Sequence, residues 1–169
     1  MIWPFGSKSI SDFPALPQSA KSTLSGDTVQ LPNLVAYFSN NYRKYVIAYY
    51  KLSYQGQTKL PFSPLRLNYP PEDAYIYIKD QTQSTYLEEI TYPLRDSLFI
   101  NGLEPFDEAT KEERYAGATK FMESGQPWET KVIMRYYPSD CFSRVVVWFT
   151  IVVALYLVSK LFSKTFKHG

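Results

Sequence analysis

The longest apolar run of the chain lies near its C-terminal end. Between Arg144 and Lys160, fifteen consecutive residues carry no charge, and most of them are aliphatic or aromatic. The eighteen residues 145–162 would rise about 27 Å as an α-helix, close to the ~30 Å hydrocarbon core of a bilayer. This length exceeds a β-strand, and the rest of the chain is too small to surround a fully buried helix. The sequence therefore predicts a single transmembrane helix over 139–163, followed by a short basic tail over 164–169.

Aromatic and basic residues flank this segment, as is typical of the membrane–water interface. Lysine and arginine can lay their stems along the helix and keep their charged ends in the interface. Basic residues flank both ends equally, so the positive-inside rule leaves the orientation open. Cys141, at the start of the segment, is interpreted either as a small buried residue or as a reversible palmitoylation site. The predicted interface residues are Tyr136, Tyr137, Arg144, Trp148, Lys160 and Lys164.

A second apolar pattern, at helical spacing, covers residues 33–53. Apolar and aromatic residues recur there every three or four positions, which is the spacing of one helix face. Asn33 is a favoured N-cap residue, and Gly56 follows the segment as a stop signal. We therefore expect an amphipathic helix whose apolar face packs on the core of a domain. The residues of this face are Leu34, Phe38, Tyr42, Tyr45 and Tyr49.

The same helix offers a binding alternative, because basic residues stand beside its aromatic rings. Such rings can stack on a quinone-like ring or, together with the basic residues, contact an anionic lipid headgroup. Residues 1–32 are rich in proline and serine and are expected to be irregular. Their apolar start is interpreted either as a flexible end or as an anchor in a partner groove or membrane interface. The candidate partner or lipid contacts are Trp3, Phe5, Tyr42, Arg43, Lys44, Tyr45 and Tyr49.

The segments up to residue 138 predict a small, mainly helical domain. Residues 57–73 contain four prolines and are interpreted as a connector, whereas the alternation over 74–78 is typical of a short strand. Capping residues and glycine stops predict helices over 85–102, interrupted by a proline, and over 107–124. The expected fold class is thus mainly α with irregular proline-rich segments: a membrane-extrinsic domain over 33–138, then one transmembrane helix.

The composition excludes several classes of site. One cysteine and one histidine provide neither an internal disulfide nor an all-Cys/His zinc site. A net charge of +2 gives no general footprint for nucleic acid. The charges nevertheless form blocks: residues 28–71 contain five basic residues and no acidic one, and residues 72–113 contain eleven acidic and three basic residues. These blocks either attract each other within the domain, dock on oppositely charged subunits, or face solvent.

Motifs for catalysis are absent from the sequence. The chain contains no P-loop, no GxGxxG and no GxSxG. Many carboxylates occur as adjacent pairs, whose members do not face each other on a helix. We therefore predict no enzymatic activity, no catalytic residue, no cofactor and no metal site, although a carboxylate-only metal site built from distant residues stays open.

Three functions fit these features. The first is a single-span accessory or assembly subunit of a membrane protein complex, for example in the respiratory chain, which acts by protein–protein contacts. The second is a tail-anchored adaptor at the mitochondrial outer membrane or the endoplasmic reticulum. The third is a lipid- or quinone-handling membrane protein. We expect a mitochondrial membrane, the inner rather than the outer, with the endoplasmic reticulum as the alternative. This expectation rests on a short span and on the lack of a signal peptide, a disulfide pair and a glycosylation sequon.

Overall fold

A computed structural model gives the fold of two compact units, Phe5–Pro138 and Ser139–Gly169. We refer to the first as the sheet domain and describe each unit by itself. The structure describes residues 9–28, 32–58, 60–78, 86–92, 95–103 and 121–167.

The sheet domain is built on a six-stranded antiparallel sheet and a separate two-stranded hairpin. Among the described strands the spatial order in the large sheet is β1-β2-β8-β5-β4-β3, so β1 and β3 form its edges. The strands are β1 (Ser19–Lys21), β2 (Leu34–Ser39), β3 (Leu65–Tyr69), β4 (Tyr86–Thr91), β5 (Ser97–Leu103), β6 (Phe121–Glu123), β7 (Gln126–Trp128) and β8 (Thr130–Tyr137). The described helices are α1 (Ser25–Thr28), α2 (Arg43–Thr58), α3 (Pro71–Tyr77) and α4 (Cys141–Lys167), and Ile10–Asp12 form one 3-10 turn.

The main core lies between α2 and one face of the large sheet, which we call the helix face. Strand β8 shows the underlying pattern, because Val132, Met134 and Tyr136 are buried while the residues between them are only half-buried. Successive residues of a strand point to opposite faces, so the buried set shares one face. The residues that α2 adds to this core are Val46, Ile47, Tyr50 and Tyr54.

A smaller core lies on the opposite side of the sheet, which we call the outer face. Ala74 and Ile78 pack there against Leu87 of β4. Tyr69 and Phe99 are partly buried against this cluster. The chain therefore returns from the edge strand β3 and places α3 over the outer face of β4.

The expectation of a mainly α fold is wrong, because the domain is sheet-rich. The predicted helix over 33–53 consists of β2 followed by α2, which begins at Arg43. All six residues of β2 are buried, and a strand covered on both faces lacks the alternation that marks a half-exposed strand. Asn33 does not cap a helix but adopts a φ of 58° before β2, where its carbonyl accepts the N–H of Tyr136 at 2.9 Å.

The other predicted elements of the domain also differ from the structure. Residues 74–78 belong to α3 and its end rather than to a strand. The predicted helix over 85–102 corresponds to β4 and β5, which pair with each other. Of the predicted helix over 107–124, residues 107–120 lie outside the described part of the chain, and Phe121–Glu123 form β6.

The C-terminal helix agrees with the sequence pattern. Helix α4 contains a stretch, Cys141–Lys164, whose 24 residues are long and apolar enough to cross a membrane. The carboxylate of Asp140 accepts the backbone N–H of Ser143 at 3.2 Å, which is an N-cap contact. One helix of this chain could thus span a membrane, while the predicted boundaries 1–32, 33–138, 139–163 and 164–169 stay predictions.

Candidate interaction surface

Edge strand β3 presents different side chains to the two faces of the sheet. Arg66 and Asn68 lie opposite Ile90 and Glu88 of β4 and share the helix face. Leu65, Leu67 and Tyr69 alternate with them and therefore share the outer face. A polar cluster and an apolar surface thus meet at one edge of the sheet.

The polar cluster is centred on the carboxylate of Glu88, a side chain that is 0% exposed. Arg66 binds this carboxylate with two nitrogens, its Nε lying 2.7 Å from Oε2 and its Nη2 lying 2.7 Å from Oε1. Arg43, from the first turn of α2, places its Nε 2.7 Å from Oε1 and also contacts that oxygen through Nη2. Arg43 Nη2 further donates to Asn68 Oδ1 at 2.6 Å. The cluster therefore joins α2, β3 and β4.

The cluster carries one carboxylate and two guanidinium groups, so its net charge is positive. The hydrogen bond to Glu88 raises the pKa of Arg66 above its usual value, so the guanidinium keeps its charge. Arg43 also lies over the ring of Tyr86, 4.4 Å from the ring centroid, in a cation–π contact. The Arg66 side chain is 46% exposed and that of Arg43 is 16% exposed. The excess positive charge consequently reaches solvent at the edge strand.

The ion pairs of the polar cluster join the basic and the acidic block of the sequence. Arg43 and Arg66 belong to the basic block and Glu88 belongs to the acidic block. Their ion pairs show that part of the attraction between the two blocks is used inside the domain. A third ion pair, between Lys131 of β8 and Asp27 of α1 at 2.8 Å, lies towards the other edge of the sheet.

The apolar surface consists of four residues, Leu65, Leu67, Ile76 and Tyr77, which we call the outer patch. Their exposed fractions are 51%, 42%, 61% and 52%. Strand β3 leads directly into α3, and the ring of Tyr77 lies 4.1 Å from that of Tyr69. The outer patch therefore covers the edge strand and the helix that follows it.

Tyr69 lies on β3 beside the outer patch and is hydrogen-bonded to β4. Its hydroxyl donates to Glu89 Oε2 at 2.5 Å. Burial and the hydrogen bond to this carboxylate raise the pKa of Tyr69 above its ordinary value. Glu89 also accepts from the hydroxyl of Ser97 at 2.5 Å. The charged side chain of Glu89, beside the outer patch, is thus held by two hydroxyl donors.

The structure separates the predicted contact residues of the tyrosine-rich segment. Arg43 joins the polar cluster, whereas Lys44 is exposed and Tyr42 is half-buried before α2. Tyr45, 44% exposed, stacks on Tyr49 with the centroids 6.2 Å apart. The Tyr49 hydroxyl donates to the carbonyl of Ala15 at 3.1 Å. The predicted contacts Trp3 and Phe5 lie outside the described residues.

The predicted interface residues fall in both units of the chain. Tyr136 is 1% exposed and packs on Phe13 with the centroids 5.4 Å apart, so the core accounts for its ring. Tyr137 is 45% exposed and meets Phe99 edge-on. Both lie in the sheet domain, on β8.

The other four predicted interface residues lie on α4. Arg144 donates from Nε to the Ser139 hydroxyl at 2.5 Å and from Nη2 to the Ser139 carbonyl at 3.0 Å. Trp148 is half-buried, and Lys164 is exposed. The ammonium group of Lys160 lies 5.8 Å from the centroid of the Tyr156 ring. Arg144 and Lys160 thus stand on either side of the apolar run, and their roles at an interface stay predictions.

Sequence reasoning missed the residues that make the edge of the sheet distinctive. Leu65, Arg66, Leu67 and Asn68 alternate between apolar and polar, which is a signal for a strand. The surrounding prolines favour a connector over 57–73, and this interpretation does not include a strand at the alternating residues. The sequence pattern presents Glu88 as one member of an adjacent acidic pair and as a capping residue of the predicted helix over 85–102, and neither interpretation predicts its ion pairs.

Within the described ranges no three histidine, cysteine, aspartate or glutamate residues lie close enough together to hold a metal ion. Comparisons with known protein families, with curated proteins and with solved structures found no match to this chain.

Proposed function

We propose that the chain is a single-span accessory subunit of a membrane protein complex and acts through protein–protein contacts. Helix α4 anchors the chain, and the outer patch contacts another membrane-embedded subunit. The observation that carries this proposal is the exposure of four large apolar residues on two adjoining elements, β3 and α3: Leu65, Leu67, Ile76 and Tyr77.

The physical support is the free energy available from covering this patch. Complete burial of a large apolar side chain contributes about 1.5–3 kcal/mol relative to full exposure, so four half-exposed side chains offer about 1 kcal/mol each. Neighbouring exposed apolar residues with a polar border are typical of docking sites. Arg66 and Glu89 provide that border, one on each face of the edge.

The proposed location is a mitochondrial membrane, the inner rather than the outer, for example as part of the respiratory chain. The sequence supports it through a short apolar span, the absence of a glycosylation sequon and the single cysteine. A thin bilayer suits a short span, and this property is shared by the endoplasmic reticulum. Protease treatment of intact organelles separates these placements: protection of the sheet domain until the membranes are ruptured is expected for an inner-membrane subunit with its domain inside the organelle.

The experiment that tests the function is native gel electrophoresis of membranes dissolved in mild detergent. We expect the full chain to migrate with one large assembly at fixed stoichiometry. Migration only as the free chain would contradict the proposal, and transient association at variable stoichiometry would favour the adaptor.

A pair of matched substitutions connects this assay to the outer patch. Ile76→Asp places a charge in the patch, whereas Leu52→Asp places the same charge on α2, where Leu52 is 70% exposed. We expect Ile76→Asp to release most of the chain from the assembly and Leu52→Asp to leave it bound. Equal behaviour of the two variants would show that the outer patch is not the contact.

A second candidate, lipid binding, has one observation in its favour. The stacked pair of Tyr45 and Tyr49 stands near the exposed Lys44 on α2. Flotation of the full chain on vesicles would not isolate this pair, because α4 inserts by itself. The test is therefore photolabelling by a lipid with a reactive headgroup, in which Tyr45→Ala should remove the label from α2 if this candidate is correct.

A further inference from the structure

The outer edge of β3 is unpaired in the described part of the sheet. β4 covers one side of the strand through five residue pairs, and no described strand covers the other. Four of the five residues of β3 are exposed. Such an edge offers a row of backbone N–H and C=O groups to any strand that can lie beside it.

The sequence of β3 is compatible with a second copy of itself. In an antiparallel pair related by a two-fold axis at Leu67, Leu65 lies opposite Tyr69 of the second copy and Arg66 lies opposite Asn68 of the second copy. All five residues then have a partner, and apolar residues meet apolar or aromatic ones. Directly opposite residues share a face, so the outer-face residues of both copies stay together.

Other registers fit less well. A two-fold axis at Arg66 would place two guanidinium groups directly opposite each other, and like charges in that position are destabilising. An axis at Asn68 would bring Pro70 opposite Arg66, where proline offers no N–H to the ladder. The register centred on Leu67 is the one that uses the whole strand and separates the charges.

Arg66 and Asn68 also have the hydrogen-bonding capacity that this register requires. Arg66 uses Nε and Nη2 on Glu88, and a guanidinium has five N–H donors in all. Asn68 Oδ1 accepts one bond from Arg43, and an amide oxygen can accept two. An Arg66–Asn68 contact between copies can therefore form on both sides of the axis without breaking the polar cluster.

We propose that two copies of this chain pair through β3, in antiparallel register centred on Leu67, and so form one continuous sheet. The two copies of the outer patch then adjoin each other on one face. Anchoring of both copies in one membrane, which rests on the proposed function, raises their effective concentration and favours a contact as small as one strand pair.

Disulfide cross-linking of the purified full chain in mild detergent tests this register. Cys141 is the only cysteine, so Cys141→Ser provides a background without thiols. In that background Leu67→Cys places the two thiols at the axis, where opposite Cα atoms lie about 4.5–5.5 Å apart. That separation falls within the range of disulfides, and we expect most of the chain to become a covalent dimer under mild oxidation.

Leu65→Cys is the matched control, because Leu65 lies on the same strand and face and is at least as exposed as Leu67, 51% against 42%. In the proposed register, Leu65 lies four residues along the strand from its own copy, about 14 Å away, so we expect at least tenfold less covalent dimer. Equal cross-linking at both positions, or none at position 67, would overturn the register. Because this assay contains only the purified chain, its failure leaves the contact with another subunit, measured on native gels, unaffected.

Discussion

Two buried tyrosines of α2 differ in what their hydroxyl groups contact. Tyr50 and Tyr54 are both 0% exposed and lie one turn apart. The Tyr54 hydroxyl donates to the carbonyl of Asp96 at 2.5 Å. The Tyr50 hydroxyl has no hydrogen-bond partner among the residues that the structure describes. Removal of the two hydroxyl groups should therefore change stability in opposite directions.

The magnitudes follow from the partners. An unsatisfied buried hydroxyl costs about 1–3 kcal/mol, so Tyr50→Phe should raise the free energy of unfolding by about 1 kcal/mol while the ring keeps its contact with Tyr49. Tyr54→Phe loses one hydrogen bond, but the Asp96 carbonyl still accepts from Thr91 at 3.0 Å. We therefore expect a loss of about 1 kcal/mol, near the typical value for one hydrogen bond.

Urea unfolding of the full chain in mild detergent measures both changes, with tryptophan fluorescence as the signal. With a slope of about 2 kcal/mol per molar urea, the midpoints of the two variants should differ by about 1 M. The slope itself should stay constant, because neither change alters the surface that unfolding exposes. A loss of stability in Tyr50→Phe equal to that in Tyr54→Phe would refute the reasoning, since it would mean that both hydroxyl groups are bonded.

Two further predictions concern charge and pH. Glu88→Gln removes the charge between Arg43 and Arg66 and should lower the free energy of unfolding by about 2 kcal/mol. This is less than the 3–5 kcal/mol of a fully buried pair, because Arg66 reaches solvent. Urea unfolding measures the loss, with Glu89→Gln as the control; we expect the control to lose less stability, and an equal loss would contradict this role of Glu88. Burial raises the pKa of Tyr50 above its ordinary value. Above about pH 10 this tyrosine therefore ionises in the unfolded state but keeps its proton in the folded state. As the pH rises further, this group lowers the free energy of unfolding by about 1.4 kcal/mol per pH unit. Unfolding midpoints at pH 9 and 11 should fall less in Tyr50→Phe than in the wild type, and an identical fall would contradict the assignment.

The C-terminal helix could be predicted because its signal is local and one-dimensional. A helix forms its backbone hydrogen bonds within itself, so length, apolar composition and a capping residue such as Asp140 are sufficient. The structure places α4 over Cys141–Lys167, within a few residues of the predicted start. From the remainder of the chain the prediction needed only its small size, which is insufficient to surround a buried helix.

The sheet could not be predicted in the same way, because its strands pair over long distances in sequence. Leu34 lies opposite Arg135 across β2 and β8, and neither segment specifies the other. Val132–Met134 alone is too short an apolar run to classify, although it is the middle of an eight-residue strand in which buried and less buried positions alternate. The apolar spacing of β2 also matched a helix face, because both faces of that strand are buried.

The candidate surface was only partly accessible from sequence for the same reason. Arg43 was selected as a basic residue beside tyrosines, but its actual partner, Glu88, follows 45 residues later. The outer patch depends on the return of α3 over β4, which places Tyr77 against Tyr69. Sequence patterns reveal residue types, whereas such contacts follow from the order of strands in the sheet.

Photo-cross-linking from the outer patch tests the central claim most directly. A photo-reactive phenylalanine analogue at position 76 is activated in native membranes, with the same analogue at position 52 of α2 as the control. The account predicts one adduct from position 76, formed with a single membrane-spanning protein that also migrates with the chain on native gels, and no such adduct from position 52. Absence of an adduct from position 76, or the same set of adducts from both positions, would contradict it.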